Sequence, residues 1–350
     1  MSTAPSQPPP AAPPSARGRG RLRERAADQH SERDRYFRNQ PHRVPLGYEA
    51  FAGDKQFATT LARGIELLRC FTAEDDELSN AELAARAGLP RPTISRLTYT
   101  LTVLGYLRQD TRSGRYGLGS ALISATYPLM ASITLRQQAR PLMNALADAS
   151  GGHVSMGIRD RLNIVLVETS RLPAREVQRT RLDGGALGGR GQMADVGLNL
   201  PIVGSAIGRA YLAGLGAEAR EAVLNEIRVK APEDWARFEP GMRASLREHA
   251  RHGFCTMDGE LVSEVLAVAA AFGTLRSGEL VVFNCAFQRS SVPAGRGPAW
   301  LKGEIGPRLV HMLQSLREGR SPAAMAEGAA AQPPAAAPVR GPGRSSAPRG

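Results

Sequence analysis

The chain has 350 residues, enough for two domains with separate cores. Its 45 Lys+Arg against 33 Asp+Glu leave a net charge of +12, which favours a polyanionic partner and says nothing of fold. No run of about 18 apolar residues marks a transmembrane helix, the N-terminus lacks the apolar core of a signal peptide, and Cys70, Cys255 and Cys285 are too scattered for a disulfide framework. The expectation is a cytoplasmic protein with no membrane partner.

Residues 1–55 and 320–350 are rich in Pro, Ala and Arg or Gly and show no apolar periodicity. Neither stretch can bury enough apolar surface to offset its ordering entropy, so both are expected to be disordered. They read either as solubilising low-complexity sequence or, for arginines between 17 and 43, as extra contacts to DNA phosphates. Between them the pattern divides into residues 56–118, a helical linker over 119–149 that Pro128 should interrupt, and residues 150–319, where strands and helices alternate.

In the first region Leu61, Ile65 and Leu68 repeat at helical spacing and predict an amphipathic helix. Ser79-Asn80-Ala81-Glu82 is a capping box that starts a second helix, and Gly88 is placed to end it. Pro92 is tolerable only in a first turn, so the next helix starts near Pro90 or Arg91. In that third helix Ile94, Leu97, Leu101 and Leu104 share one face, leaving Ser95, Arg96 and Tyr99 opposite. Guanidinium, hydroxyl and phenol groups on one face suit a major groove. In a helix-turn-helix the base contacts come from the start of this helix, here Arg91, Thr93, Ser95 and Arg96. Two β-prone runs around Thr111-Arg112-Ser113-Gly114 then predict a hairpin with Arg112 and Arg115 at its tip, a wing. From Arg86 to Arg115 there are six arginines and one acid, whereas residues 57–85 carry two arginines and six acids. The positive charge is thus concentrated on the presumed DNA face.

FATTLARGIELLRCFT, LSNAELAARAGLPRPTISRLTYTLTVLGYL and SGRYGLG together resemble the N-terminal domain of the IclR family of bacterial transcription regulators. The most specific match runs from Ala87 to Leu97. The resemblance extends over about 57–318 and implies an α+β chain: an N-terminal winged helix-turn-helix, a helical linker and a C-terminal GAF-like α/β effector-binding domain. It implies double-stranded operator DNA and a small organic acid, of an aromatic pathway or another, as partners, and assembly into a homodimer or homotetramer through the linker.

Within 150–319, two β-prone segments flank Arg159-Asp160-Arg161, and a loop follows with Gly184-Gly185 and Gly188-Gly189. That loop lacks the lysine and hydroxyl of a phosphate cradle, and reads as a flap over a pocket or as plain loop. Pro201 to Ala210 resembles the family's signature for a helix heading the effector pocket. Backbone N–H groups at a helix N-terminus attract carboxylates, and Ser205 serves either as an ordinary N-cap or as a donor to ligand. The resemblance assigns Ser205, Ala206, Ile207, Asp258, Phe283 and Cys285 to the effector. It turns Phe283 and Cys285 into the pocket and Asn284 away. Glu264 stands where the family commonly has Gly, and Phe283 and Cys285 stand where it has small hydroxyl residues, which implies either a ligand other than the short keto acids some members bind or a reshaped pocket. Leu301, Ile305, Leu309, Met312 and Leu316 predict an apolar stripe on a closing helix.

His249, His252 and Cys255 have a spacing that could attract zinc, but no fourth ligand is evident, and structural zinc sites nearly always need four. No nucleophile elbow and no HExxH occur. No cofactor, metal site or catalytic residue is expected. The rival reading is a small-molecule enzyme or metal-binding protein in residues 150–319 with incidental DNA affinity.

Overall fold

The computed structural model describes residues 51, 54–72, 75–171, 195–292 and 296–323. The expectations for the two tails fall almost wholly outside these residues, and those for the Gly-rich loop fall entirely outside them. The described residues form two compact units, the first ending at Ser132 and the second beginning at Ile133.

The first unit has helices α1 (Thr59–Leu68), α2 (Asn80–Ala87) and α3 (Arg91–Val103), then the hairpin β1 (Leu107–Gln109) and β2 (Tyr116–Leu118). In α1 the expected stripe is displaced. Leu61 and Ile65 are exposed, while Gly64, Glu66 and Leu67 are buried. Gly64 faces the Leu97 side chain of α3, which would be in ordinary contact with a Cβ placed there. The capping box of α2 is formed: Ser79 Oγ accepts from the Glu82 amide at 3.2 Å, and Glu82 Oε2 accepts from the Ser79 amide at 2.7 Å. Gly88 ends the helix at φ 64°, a left-handed conformation natural to glycine. Pro92 falls in the first turn of α3. Ile94 and Leu97 are buried and Leu101 is partly so, but Leu104 lies past the helix end and is exposed. Thr98 takes its place inside, its hydroxyl donating to the Ile94 carbonyl at 3.0 Å. The hairpin is held onto the unit by Leu78, which exchanges both backbone hydrogen bonds with Tyr116.

Helix α4 (Ala121–Ser132) closes this unit, and α5 (Leu135–Ser150) opens the next. Pro128 does not interrupt the linker where expected. Proline removes a single N–H, and α4 continues through it to Ser132; the break falls at Ile133 and Thr134. No residue of α4 is buried within the chain.

The second unit is a six-stranded sheet in the order β5-β4-β3-β8-β7-β6, antiparallel throughout. Its strands are β3 (His153–Asp160), β4 (Asn163–Ser170), β5 (Asn199–Pro201), β6 (Cys255–Asp258), β7 (Val265–Thr274) and β8 (Leu280–Gln288). Helices α6 (Ala206–Gly214), α7 (Ala217–Lys230) and α8 (Pro232–His252) lie between β5 and β6 in sequence. Helix α8 starts at Pro232, which is tolerable in a first turn, and runs through Pro240. After β8 come α9 (Pro298–Trp300), a π-helical turn (Leu301–Ile305) and α10 (Gly306–Arg317), whose predicted stripe is buried.

Two layers cover the sheet. On the inner face lies α6: a Cβ on Gly157 would meet Ile207, and one on Gly214 would lie 2.7 Å from Ala271. Gly208 is required here, because a Cβ would overlap the Ile202 backbone. On the outer face lies α5, whose Ser150 hydroxyl sits 3.6 Å from the Cys285 thiol; α10 packs beside it. The edge strand β6 is protected by α8, where Glu248 accepts the Thr256 amide at 3.1 Å.

Removing the α2 cap tests the first unit's assembly. Ser79→Ala should lower stability in urea unfolding by about 1 kcal/mol. Glu82→Ala should cost slightly more, since its ion pair with Arg115 is half exposed and adds only a few tenths. Unchanged stability in both variants would mean the cap does not hold α2.

Candidate DNA-reading face and effector cleft

On the first unit Arg91, Ser95, Arg96 and Tyr99 are exposed and Thr93 is half-buried. They occupy the N-terminal two-thirds of α3, opposite Ile94, Leu97 and Thr98. Ser95 is held by the Asn80 amide at 3.4 Å, which ties the start of α2 to the exposed face of α3. At the hairpin tip Asp110 accepts the Arg112 and Ser113 amides at 2.6 and 3.0 Å and shapes the turn.

Counting charge along the chain overstates the free positive surface. Arg86 pairs with Asp75 at 2.5 Å, Arg108 with Glu77 at 2.8 Å, and Arg115 with Glu82 at 2.8 Å. Burial would raise the Asp75 carboxyl, but Arg86 and Thr72 hold it below its usual range. Arg91, Arg96 and Arg112 have no ion pair among the described residues. Arg115 flanks the turn, its carbonyl accepting from the Asp110 amide at 2.9 Å, but it is half-buried and its guanidinium is tied down, paired with Glu82 and also donating to the Glu77 carbonyl at 3.0 Å. One carboxylate, Glu82, thus caps α2 and anchors the wing. The acids that capture these arginines were visible at 75, 77 and 82, but their pairing depends on the fold.

In the second unit Ser205, Ala206 and Ile207 open α6 and are buried. Ser205 Oγ donates to the Pro201 carbonyl at 2.7 Å and accepts from the Gly208 amide at 3.1 Å, so its first role is the N-cap. Phe283 and Cys285 do not join these residues. Successive side chains of a strand alternate faces. Cys285 touches Ser150 of α5, and Cys285 and Phe283 pair with Val154 and Met156; these residues share the outer face. The assignment of Phe283 and Cys285 to the pocket is corrected on that ground: Asn284 is the residue turned toward α6. Burial pushes the Cys285 thiol up to about 12.

The inner face next to Asn284 carries Ser155, directly opposite it in the ladder, with Thr169 donating to the Ser155 hydroxyl at 3.2 Å. His153 lies two pairs further along, on the same face. Burial, and then Arg171, push the His153 imidazole down to about 4. Asn284 Oδ1 and His153 Nδ1 are buried and have no hydrogen-bond partner among the described residues. Such atoms carry a desolvation penalty until something pairs with them. The sequence reading missed His153, Ser155 and Thr169. Strict alternation from Asn284 would have selected the right face, had its direction been known.

Asp258 lies elsewhere, exposed and paired with Arg289. It lines a groove of about 370 Å³ with Gly241, Ser245, Glu248, Glu260 and Lys302. Beneath that groove is Arg209, fully buried, which donates to both oxygens of Glu260 at 2.9 and 2.6 Å, to Ser245 Oγ at 3.1 Å and to the Val203 carbonyl at 2.9 Å. The Arg of the α6 signature is therefore a structural bolt, another role that the sequence reading missed. The HxxHxxC spacing does not assemble. Cys255 turns to the Ser245 carbonyl at 3.5 Å, and His252 stacks on Phe254. Among the described residues no group of acids, histidines and cysteines could hold a metal ion.

A winged helix-turn-helix ahead of a curled-sheet α/β domain defines a two-domain DNA-binding regulator. The IclR helix-turn-helix domain matches residues 60–111, and the bacterial transcriptional regulator IclR C-terminal domain matches residues 128–277. The HTH-type transcriptional regulator TsaQ1/TsaQ2 of Comamonas testosteroni is 31% identical over 275 residues, 79% of this chain and 90% of its own. An IclR-family regulator structure from Brucella abortus superposes with TM-score 0.65 at 36% identity, covering 79% of this chain and 97% of its own. An IclR homologue from Microbacterium hydrocarbonoxydans, complexed with 4-hydroxybenzoate, shares the fold at TM-score 0.51 and 20% identity, covering 74% of this chain and 96% of its own. The chain belongs to the IclR family and is a DNA-binding transcription regulator.

Proposed function

We propose that this regulator binds its operator through Arg91, Thr93, Ser95, Arg96 and Tyr99 of α3 and Arg112 of the wing, and that a small aromatic acid on the inner face of the sheet modulates that binding. Arg115 acts by fixing the wing. The DNA assignment is carried by the three arginines with no ion pair among the described residues, since cations already paired have less to give to phosphate. Arg91→Ala, Arg96→Ala and Arg112→Ala should each weaken binding and each reduce the slope of log K against log salt by about 1. Arg108→Ala should leave the slope nearly unchanged, because Glu77 already neutralises it. Equal slopes in all four variants would remove α3 and the wing from the interface.

The effector assignment rests on the orphaned Asn284 Oδ1 on the face covered by α6. The 4-hydroxybenzoate bound by the Microbacterium protein has the matching chemistry. A carboxylate suits the free N–H groups at the start of α6, with Ala206 and Ile207 framing it and Ser205 holding the turn. A hydroxyl on the ring can donate to Asn284 Oδ1. In calorimetry with hydroxybenzoates, Asn284→Val should lose about tenfold or more in affinity, and Ser205→Tyr should abolish the response without loss of DNA binding. Loss on Asp258→Asn, with Asn284→Val unchanged, would move the site to the outer groove.

Assembly follows from apolar side chains that the single chain leaves exposed, Leu61 and Ile65 on α1 and Ile123, Tyr127 and Leu129 on α4. A second copy of the chain covers them, which gives at least a dimer and matches a two-fold operator. Ile123→Glu with Tyr127→Glu should shift the light-scattering mass down to a monomer; an unchanged mass would exclude α4 from the interface. No helix among the described residues is long and apolar enough to cross a membrane, and the site of action is the cytoplasm, where the operator is.

A further inference from the structure

The ladder between β3 and β4 is interrupted once. Met156 pairs with Glu168 and Gly157 with Leu166, so Val167 faces no residue of β3. This is a β-bulge, which kinks a strand and frees backbone groups from the ladder. The freed Val167 carbonyl accepts from Arg136 Nε at 2.7 Å. The next residue, Glu168, is nearly buried, and its carboxylate accepts from Arg136 at 3.0 Å and from Arg140 at 3.1 and 2.9 Å. Both arginines lie on the first turns of α5, directly after the break that ends linker helix α4. The residue after Glu168 is Thr169, whose hydroxyl is on the inner face, bonded to Ser155 beside Asn284. Two adjacent residues of β4 therefore grip opposite layers, one the base of the linker and the other the inner face.

We propose that Glu168 is a positioning residue that couples the inner face of the sheet to the base of the linker, through the Val167 bulge and the Arg136 and Arg140 guanidinium groups. It rests on the reading of that face as the effector site. A bulge is a discrete feature, so a small displacement of Thr169 is not absorbed smoothly. It either keeps the Val167 carbonyl and Glu168 carboxylate in register with α5 or takes both out of register. A ligand that closes on Thr169, Ser155 and Asn284 shifts that balance by its difference in affinity for the two arrangements. The guanidinium of Arg136 reads the backbone and the carboxylate together, so it reports the position of the bulge itself. Lysine could not make both contacts with one rigid fork.

Hydrogen exchange on the full-length protein without ligand tests the coupling. Thr169→Val removes the inner-face hydroxyl, keeps the side-chain shape and touches no residue of α5. It should change amide exchange in the first turns of α5 by about fivefold or more, the lower bound of an ordinary coupling between sites. In the Glu168→Gln background the same substitution should leave α5 unchanged. A Glu168 that only supports the fold would alter α5 exchange by itself, yet leave the Thr169→Val effect the same in both backgrounds. That result, or no effect of Thr169→Val in the wild-type background, overturns the proposal. If Glu168→Gln fails to fold, Arg140→Gln serves, since its side chain is half exposed. The effector reading fails separately: calorimetry with 4-hydroxybenzoate as probe would then show the same affinity in wild type, Thr169→Val and Asn284→Val.

Discussion

The alternation of side chains along β3 and β8 is the constraint on which the second unit depends. Both strands lie in the middle of the sheet, and β8 is buried at every position from Leu280 to Phe287. Each side chain must therefore fit one of two layers, with no solvent to receive a mismatch. Fully burying a residue such as Phe283 is worth roughly 1.5–3 kcal/mol, and a one-residue slip would exchange Phe283 and Cys285 for Asn284 on the outer face. Glycine appears where a layer comes too close. A Cβ on Gly152 would lie 2.6 Å from the Phe287 ring and 2.7 Å from the Cys285 thiol. The same alternation gathers His153, Ser155 and Asn284 on one face, which is why these polar groups are adjacent at all.

Local chemistry was legible in the sequence wherever the determining residues are neighbours. Ser79, Glu82, Gly88 and Pro92 each specify a backbone event within four positions, and the start and stop of α2 and the start of α3 follow from them. The order of elements in the first unit, and hence its winged helix-turn-helix, was readable for that reason. The face of β8 was not. Alternation reveals a buried face only when the other face is polar, and Val281, Val282, Phe283, Cys285, Ala286 and Phe287 are apolar on both. The α1 stripe misled for a related reason. Leu61, Ile65 and Leu68 are apolar at helical spacing, yet the buried positions of the helix are Gly64, Glu66 and Leu67, two of which hydrophobic periodicity does not score. In the candidate site, the helix-capping role of Ser205 was readable locally, whereas the Asn284 cleft required the sheet.

Charge shows the same division between composition and fold. The basic excess between Arg86 and Arg115 is real, but half of those arginines are spent on Asp75, Glu77 and Glu82. What remains is a smaller cationic set arranged along α3 and the wing tip. A regulator gains from this economy, because nonspecific affinity scales with every free phosphate contact while specificity does not. Internal pairing fixes the wing and withdraws charge from the nonspecific term at once. In the second unit Arg209 is the extreme case. It is fully buried and carries four hydrogen bonds, and Glu260, its partner, stands 51 residues away in sequence. Glu260 is partly exposed to solvent, which screens the pair, so its loss costs less than the roughly 3–5 kcal/mol of a fully buried pair, while the buried Arg209 would lose its charged partner. The pair's effect is therefore to fix one placement of α6 over the sheet, held against α8 where Gly241 leaves room for the Glu260 carboxylate.

A fixed α6 has a consequence for how a ligand can be sensed. With its N-cap bonded to Pro201 and Gly208 and its arginine bolted to Glu260, the helix is the unyielding side of the proposed site. Its counterpart is β4, a strand with a bulge, carrying Thr169 on the inner face and Glu168 toward α5. A ligand pressed between a rigid wall and a bulged strand works on the strand. The stability locked into Arg209 and Glu260 and the irregularity at Val167 are then complementary: without the first, binding would displace α6 and dissipate, and without the second, β4 would be as stiff as β8. The proposed path from the inner face to the linker follows the weaker side, because that is where the same free energy of binding produces movement.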